Sequence, residues 1–305
     1  MTKEQFIKNL SVPEGNSDVV IDTDAFNEID DQFAIAYLIR STEKLNTRAV
    51  YAAPFHNKKS TDPADGMEKS YTEIEKLLKF LNADIPTFKG SKSYLKDEKT
   101  PVISPAAEDL AERANGYSPE NPLYVVAIGA ITNVASAVLL NPAVAENTVV
   151  VWLGGHAHHF SHTKEFNMYQ DIAAARVVMG CGVPFIQLPC CGVVSSFQFS
   201  RPELEHWLLG KNDLADYLVK NTVAEADSYA AGKPWTRTIW DVTAVAWLLN
   251  DGERFMNARL INTRLPDYNG YYGPTEPTLL CNYVYFINDD VLKEDLINKL
   301  LGIKE

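Results

Sequence analysis

The residues with the most chemistry in them stand close together near the amino terminus, in the segment Asp22-Thr23-Asp24-Ala25-Phe26-Asn27-Glu28-Ile29-Asp30-Asp31. Five carboxylates fall within ten residues, directly after DVVID (18–22), an apolar run that reads as a buried strand. Carboxylates that converge in a dry pocket repel one another, and each pKa is driven upward. A hard divalent cation removes the conflict, because calcium takes about six to eight oxygens, carboxylate and carbonyl alike. The loop offers no Cys and no paired His, so oxygen-only ligation favours calcium or magnesium over zinc. It is not an EF-hand, since the glycine at the sixth position and the distal glutamate are absent. The plainer alternative is a solvated acidic turn that caps the following helix, whose amino end welcomes negative charge. Asp30 alone satisfies that alternative, and the other carboxylates are left without a purpose by it.

Such a loop needs a scaffold. Short β-rich runs alternate with longer segments of helical spacing: strands over 18–22, 47–53, 123–128, 148–153 and 184–188, and helices over 30–40, 67–82, 133–140 and 172–179. Thr132 is placed to cap the helix that Asn141-Pro142 ends. Three helices in succession follow (202–209, 214–231 and 242–249). Two β-rich runs, 257–262 and 280–287, then flank a turn containing Gly270, Gly273 and Pro274. This order predicts an α/β chain: an open, mostly parallel sheet flanked by helices, with a small antiparallel edge near the carboxyl terminus. No repeat or linker-like tract divides the chain, so residues 1–305 are read as a single domain. Open parallel sheets bind ligands beyond the carboxyl ends of their strands, which directs attention to the loops after Ile21, Ala53, Ile128 and Leu153.

Composition narrows the function classes. A net charge of −12 repels polyanions, and the densest basic pair is Lys58-Lys59, so nucleic acid is not an expected partner. The longest apolar stretch, 123–140, is interrupted by Thr132, Asn133 and Ser136, a strand-turn-helix pattern and not a membrane span. The amino terminus lacks the apolar core of a signal peptide. Cys181, Cys190, Cys191 and Cys281 form no Cys-x-x-Cys pair and read as reduced thiols. A cytoplasmic protein acting on a small neutral molecule is the expectation.

Four segments in order resemble the inosine-uridine-preferring nucleoside hydrolases. The acidic loop is similar to that family's Asp-x-Asp-Pro-Gly-x-Asp-Asp signature. Ile128-Gly-Ala-Ile-Thr-Asn133 resembles its Gly-Pro-Leu-Thr-Asn turn. Trp152-Leu-Gly-Gly155, with Glu165-Phe-Asn167-Met-Tyr-Gln-Asp171, resembles its Met-Gly-Gly and Glu-Phe-Asn-x-x-x-Asp block. Trp240-Asp241 resembles its His-Asp pair. The resemblance spans residues 18 to about 250. It implies one calcium ion held by Asp24, Asp31, Asp241 and the carbonyl of Ile128, with Asp24 as the base that takes a proton from the attacking water. It further implies ribose contacts from Asp30, Glu165 and Asn167, a substrate contact at Leu153, a place for Asp22 behind the cation's ligands and not among them, and a homo-dimer or homo-tetramer.

The chain departs from the family pattern at three places. Five residues separate Asp24 from Asp30 where the family has three, with Ala25-Phe26-Asn27-Glu28 in place of Pro-Gly, so the two extra residues either loop outward or bring Asn27 or Glu28 into the pocket. A family asparagine after the second strand has Asn57 as its nearest chemical match. A second one has no counterpart, and His159 stands closest to it by spacing, within the run His156, His158, His159 and His162. That run fits no zinc pattern and reads either as an exposed polar loop or as a grip on base or sugar. Most consequential is Trp240, where many relatives carry a histidine that protonates the leaving base. Indole does not release a proton in that sense, although it can stack on a base. Leaving-group activation then falls to a loop histidine, a tyrosine or solvent. Three readings follow: a ribonucleoside hydrolase, a hydrolase of a modified nucleoside or other N-riboside, and a non-catalytic calcium or ribose binder.

Overall fold

The computed structural model describes residues 1–303. Its elements run α1 (Lys3–Asn9), β1 (Ser17–Thr23), α2 (Asp30–Arg40), β2 (Leu45–Ala52), α3 (Pro63–Leu81), β3 (Thr87–Lys89), α4 (Pro105–Arg113) and β4 (Leu123–Ala127). Next come α5 (Thr132–Leu140), α6 (Ala143–Asn147), β5 (Thr148–Leu153), α7 (Phe166–Gln170), α8 (Ile172–Gly180), β6 (Phe185–Leu188), β7 (Gln198–Ser200) and α9 (Arg201–Trp207). The chain continues with α10 (Asp213–Ala230), β8 (Thr236–Thr238), α11 (Val242–Leu248), β9 (Met256–Pro266), β10 (Tyr272–Ile287) and α12 (Asp289–Leu301). Eight strands form one sheet in the order β3-β2-β1-β4-β5-β6-β10-β9, parallel throughout except for the antiparallel β10–β9 pair at its edge. The expected α/β architecture is present.

Successive side chains of a strand point to opposite faces, and the core divides accordingly. Val19, Ile21, Val149 and Val151 pack beneath α2, α3, α10, α11 and α12, through residues such as Phe33, Leu77, Leu218, Val245 and Leu296. Val20, Val150 and Trp152 pack on the other side against α4, α5 and α8, through Leu110, Val134 and Val178. Strands apolar on both faces are what a sheet covered on both sides requires.

Some boundaries differ from expectation for local reasons. Helix α3 begins at Pro63 because Asp62 caps it, accepting from the Asp65 amide at 2.8 Å. Thr132 is not a cap: it is the first residue of α5, and its hydroxyl donates to Asp171 Oδ2 at 2.7 Å. The turn between the last two strands lies at 267–271, where Gly270 has φ +82°, so Gly273 and Pro274 belong to β10, which starts at Tyr272. Helices α1, α4 and α12 and the short β7–β8 pair were not anticipated. No helix among the described residues is long and apolar enough to cross a membrane.

Candidate active site

The site grows from the carboxyl ends of the central strands. β1 lies between β2 and β4, and the pairing persists past the strand ends: the Ala53 amide donates to the Thr23 carbonyl at 2.8 Å and the Ile128 amide to the Asp22 carbonyl at 2.9 Å. Asn133 locks this junction, donating to Asp22 Oδ1 at 2.8 Å while accepting from the Ser91 amide at 2.7 Å. Asp24 sits against Gly129 so closely that a Cβ on that glycine would stand 2.9 Å from Asp24 Oδ1. Gly129 therefore clears the space that the carboxylate occupies.

The chain then turns through Asn27, whose amide donates to the Asp24 carbonyl at 2.7 Å, and enters α2 at Asp30. No side chain caps α2, so Asp30 is not spent on capping. Asp241 likewise opens α11 without a capping bond. Instead, Asp30, Asp31 and Asp241 each present an oxygen, all within 4.8 Å of one another. Asp24 lines the same cleft. All four residues are at most 3% exposed.

This arrangement is electrostatically incomplete. Burial pushes the pKa of Asp24 well up, and the charges of Asp31 and Glu28 push it further. Asp30 is raised by burial and by Glu28, against the pull of Arg237. Burial holds Asp31 at about 7 despite a hydrogen bond from Thr23, and raises Asp241 strongly with help from Asp30 and Asp31. Asp24 Oδ2 and Asp30 Oδ1 are buried with no donor at all. Buried acceptors without partners are rare, and buried charges are paired or hold metals. These oxygen donors fit a hard divalent cation, drawn from two distant parts of the chain.

Neighbouring loops complete the cleft that the carboxylates line. The Asn167 side-chain amide donates to the carbonyls of Ile128 and Leu153, at 3.1 Å each, bridging the ends of β4 and β5. The Ile128 carbonyl thus keeps one lone pair for another partner. Glu165, expected to grip a sugar, is a buried cap of α7: its carboxylate accepts from the amides of Gly155 (2.8 Å), Asn167 (2.9 Å) and Met168 (3.0 Å). Glu165 and Asn167 both line the cleft, so one residue orients the other beside it.

Asp171, at the end of this block, serves the scaffold. It accepts from the Leu95 and Ala174 amides and the Thr132 hydroxyl, all at 2.7–2.9 Å, tying α8 to α5 and to the loop before α4. Asp171→Ala strands three buried donors and should destabilise the protein by about 3 kcal/mol or more. Thr132→Val, which removes one of them, should cost about 1 kcal/mol. Urea denaturation midpoints check both, and an unchanged midpoint for Asp171→Ala would refute the tie.

The departures from the family pattern fall into place around the cleft, which encloses about 210 Å³. Asn27 and Glu28 both line it. Glu28 is paired to Arg237 at 2.6 Å, Arg237 to Glu225 at 3.1 Å, and Lys59 to Glu225 at 2.8 Å and to the Asn27 carbonyl at 2.6 Å. This network holds the longer loop in position. Asn57 is absent from the lining and donates to Asn27 Oδ1 at 2.6 Å, supporting the loop from behind. His159 is exposed and also outside the lining; His156 takes the place in the cleft expected for it. The reason is local: the Ala157 amide donates to Cys191 and the Phe160 amide back to Ala157, a tight turn that carries His159 outward. Trp240 lines the cleft together with Asp241, Phe166 and Lys164.

Cys190 and Cys191 line it too and were not anticipated as site residues. The signal was available, since they follow β6, another parallel strand of the same sheet, whose carboxyl end opens on the same edge.

Comparisons with known proteins match most of the chain. The profile of the inosine-uridine preferring nucleoside hydrolase family matches residues 19–270. A probable uridine nucleosidase 2 of Arabidopsis thaliana is 28% identical, covering 66% of this chain and 67% of the relative. The non-specific ribonucleoside hydrolase RihC of Salmonella paratyphi B is 26% identical, covering 76% and 78%. Among solved structures, a plant nucleoside hydrolase, PpNRh1, superposes with a TM-score of 0.75 at 18% identity, over 94% of this chain and 99% of the other. A purine-preferring ribonucleoside hydrolase from Gardnerella vaginalis gives 0.71 at 14% identity over the same shares, which speaks to fold alone. With four motifs, the sheet and the carboxylate pocket in agreement, this chain belongs to the inosine-uridine preferring nucleoside hydrolase family and is a ribonucleoside N-glycosidase.

Proposed function

We propose that this protein is a calcium-dependent hydrolase that splits a ribonucleoside into ribose and free base by direct displacement at the anomeric carbon. The observation that carries the reading is the convergence of Asp30, Asp31 and Asp241 beside Asp24, with buried oxygens that have no donor. Asp24, Asp31, Asp241 and the free lone pair of the Ile128 carbonyl are the residues that would hold the cation, and an all-oxygen set suits calcium. When bound, calcium supplies positive charge that makes a neighbouring water more acidic and steadies the vicinal ribose hydroxyls.

The protein's own groups do the rest. Asp24 takes a proton from the water, whose oxygen attacks the anomeric carbon as the bond to the base opens through an oxocarbenium-like state. One displacement gives inversion. Asp30, adjacent to a ligand, accepts from a ribose hydroxyl. Asn167, oriented by the Glu165 cap, shapes the far side of the sugar, and its hold tightens as the ring flattens. Leu153 ends the strand beneath the sugar, while Trp240 offers an aromatic face to the base. The chain works as one domain, and sedimentation would reveal the dimer or tetramer that the family resemblance implies.

Trp240 and the ion network around Glu28 favour a second substrate range on the same chemistry, a modified nucleoside or other N-riboside. Incubation with purine, pyrimidine and modified ribonucleosides, with and without chelator, distinguishes these by the free ribose released. Chelator-sensitive release is expected. Release that ignores chelation would overturn the calcium role, and binding without release on every substrate would indicate a non-catalytic protein.

A further inference from the structure

An N-glycosidic bond needs help at both ends, because a purine or pyrimidine leaves poorly as an anion and well once it receives a proton. The residue that resembles a proton donor's position in the family is Trp240, which cannot serve. We propose that His156 is the catalytic acid of this enzyme, donating a proton to the departing base from the loop after β5; this rests on the hydrolase reading above. As the glycosidic bond breaks, its electron pair goes to the base nitrogen. The imidazolium proton goes to the base, and the water oxygen bonds to the anomeric carbon after surrendering its proton to Asp24. Neutral imidazole then recovers a proton from solvent as Asp24 releases its own.

Elimination among the cleft residues supports the choice. Asp24, Asp30, Asp31 and Asp241 belong to the cation and the sugar, Glu28 is paired with Arg237, and Glu165 is spent on the amides of Gly155, Asn167 and Met168. Cys190 is buried, its thiol pushed well up by burial and by Glu165, which it hydrogen-bonds. Cys191 is pushed up as well, by burial and by the same glutamate. Lys164 holds its ammonium over the rings of Tyr169 and Tyr271, at 5.7 and 5.9 Å from their centroids. No tyrosine is among the lining residues. His156 remains, and it is the one member of the histidine run that lines the cleft.

Its placement is built rather than incidental. The preceding Gly155 has φ +78°, and a Cβ there would meet the Tyr272 hydroxyl at 2.2 Å. That hydroxyl donates to the His156 carbonyl at 2.9 Å and accepts from Gln187 at 2.9 Å, while the His156 amide donates to the Thr163 hydroxyl at 3.2 Å. His158 braces the same loop from inside, its ring 4.6 Å from both Tyr272 and Tyr283. The backbone of His156 is therefore fixed from two sides, while its ring centroid stands 5.5 Å from that of Phe160 and 5.7 Å from that of His162. Its Nδ1 is buried with no hydrogen-bond partner in the protein, although the residue itself lines the cleft. Burial, and then His162, lower its pKa, which makes the protonated ring a stronger acid.

The test compares two leaving groups. The nucleoside that the wild type cleaves fastest needs a proton on its base; 4-nitrophenyl β-D-ribofuranoside releases a stable phenolate and needs none. His156→Ala and His156→Gln should each slow the nucleoside by roughly 10²–10⁴-fold and the nitrophenyl riboside by only a few-fold, with His159→Ala near wild type on both. Equal losses on the two substrates, or no loss on the nucleoside, overturn the assignment, as does a selective loss in His159→Ala. Melting temperatures of both His156 variants show whether the loop remains folded, and the Gln variant keeps the side-chain volume and polarity. A wild type that cleaves neither substrate overturns the hydrolase reading and the acid together, whereas a wild type active on both with insensitive His156 variants overturns the acid alone.

Discussion

Asp24→Asn should lower the turnover number by roughly 10²–10⁴-fold while leaving the fold intact, the range expected when a general base is removed. Asparagine has nearly the shape of aspartate, so the tight approach to Gly129 survives, but an amide does not accept a proton from water. A second effect separates this from simple damage. Asp24 is buried among like charges, and removing its charge relieves repulsion with Asp31 and Glu28. With chelator present, Asp24→Asn should therefore melt above the wild type, although it is catalytically crippled. Steady-state kinetics and thermal melts of the same preparation check both halves. Normal turnover would show that the proton goes elsewhere.

Removing the cation should abolish activity and change how stability depends on pH. In the metal-free protein Asp22 and Asp31 are raised to about 7 from an ordinary carboxylate value of 3.8, chiefly by burial. Asp24, Asp30 and Asp241 move in the same direction. The folded protein then holds these protons more tightly than the unfolded chain does. Their contribution to stability is fully present below the unfolded pKa and is lost as pH rises through the folded one. Each such group weakens the fold by about 1.4 kcal/mol per pH unit in that window. Chelated protein should lose melting temperature steadily between about pH 4 and pH 7, whereas calcium-loaded protein should not. At neutral pH, calcium at a hundred times its dissociation constant should restore about 2.7 kcal/mol. A chelated protein that becomes more stable over this window would contradict the crowding of charge.

Much of this was legible in the residues. The apolar runs at 123–128 and 148–153 have no polar face, and only a sheet covered on both sides accommodates them. The acidic loop announced its chemistry because five carboxylates after a buried strand have no cheap solvent-facing explanation. What stayed hidden depended on distance in space. Arg237 shows no motif, yet it pairs with Glu28 and offsets Asp30, since the β7–β8 pair carries it back to the loop. Glu165 was legible as a site residue, but its work as a cap for α7 was not, because that helix has only five residues and little periodicity. Among four histidines within seven residues, spacing alone pointed to His159. The hydrogen bonds of Ala157 and Phe160 turn His159 outward, and it is His156 that lines the cleft. Thr132 looked like a cap by residue type and instead spends its hydroxyl on Asp171, a partner 39 residues away.

Calorimetric titration of calcium into chelated protein bears most directly on whether these acidic side chains share a cation. One ion per chain should bind, and the site should be lost or greatly weakened in Asp241→Asn, whose side chain comes from the opposite end of the sequence to the loop it joins. No calcium binding, or binding indifferent to Asp241, would mean that the buried carboxylates serve some other end.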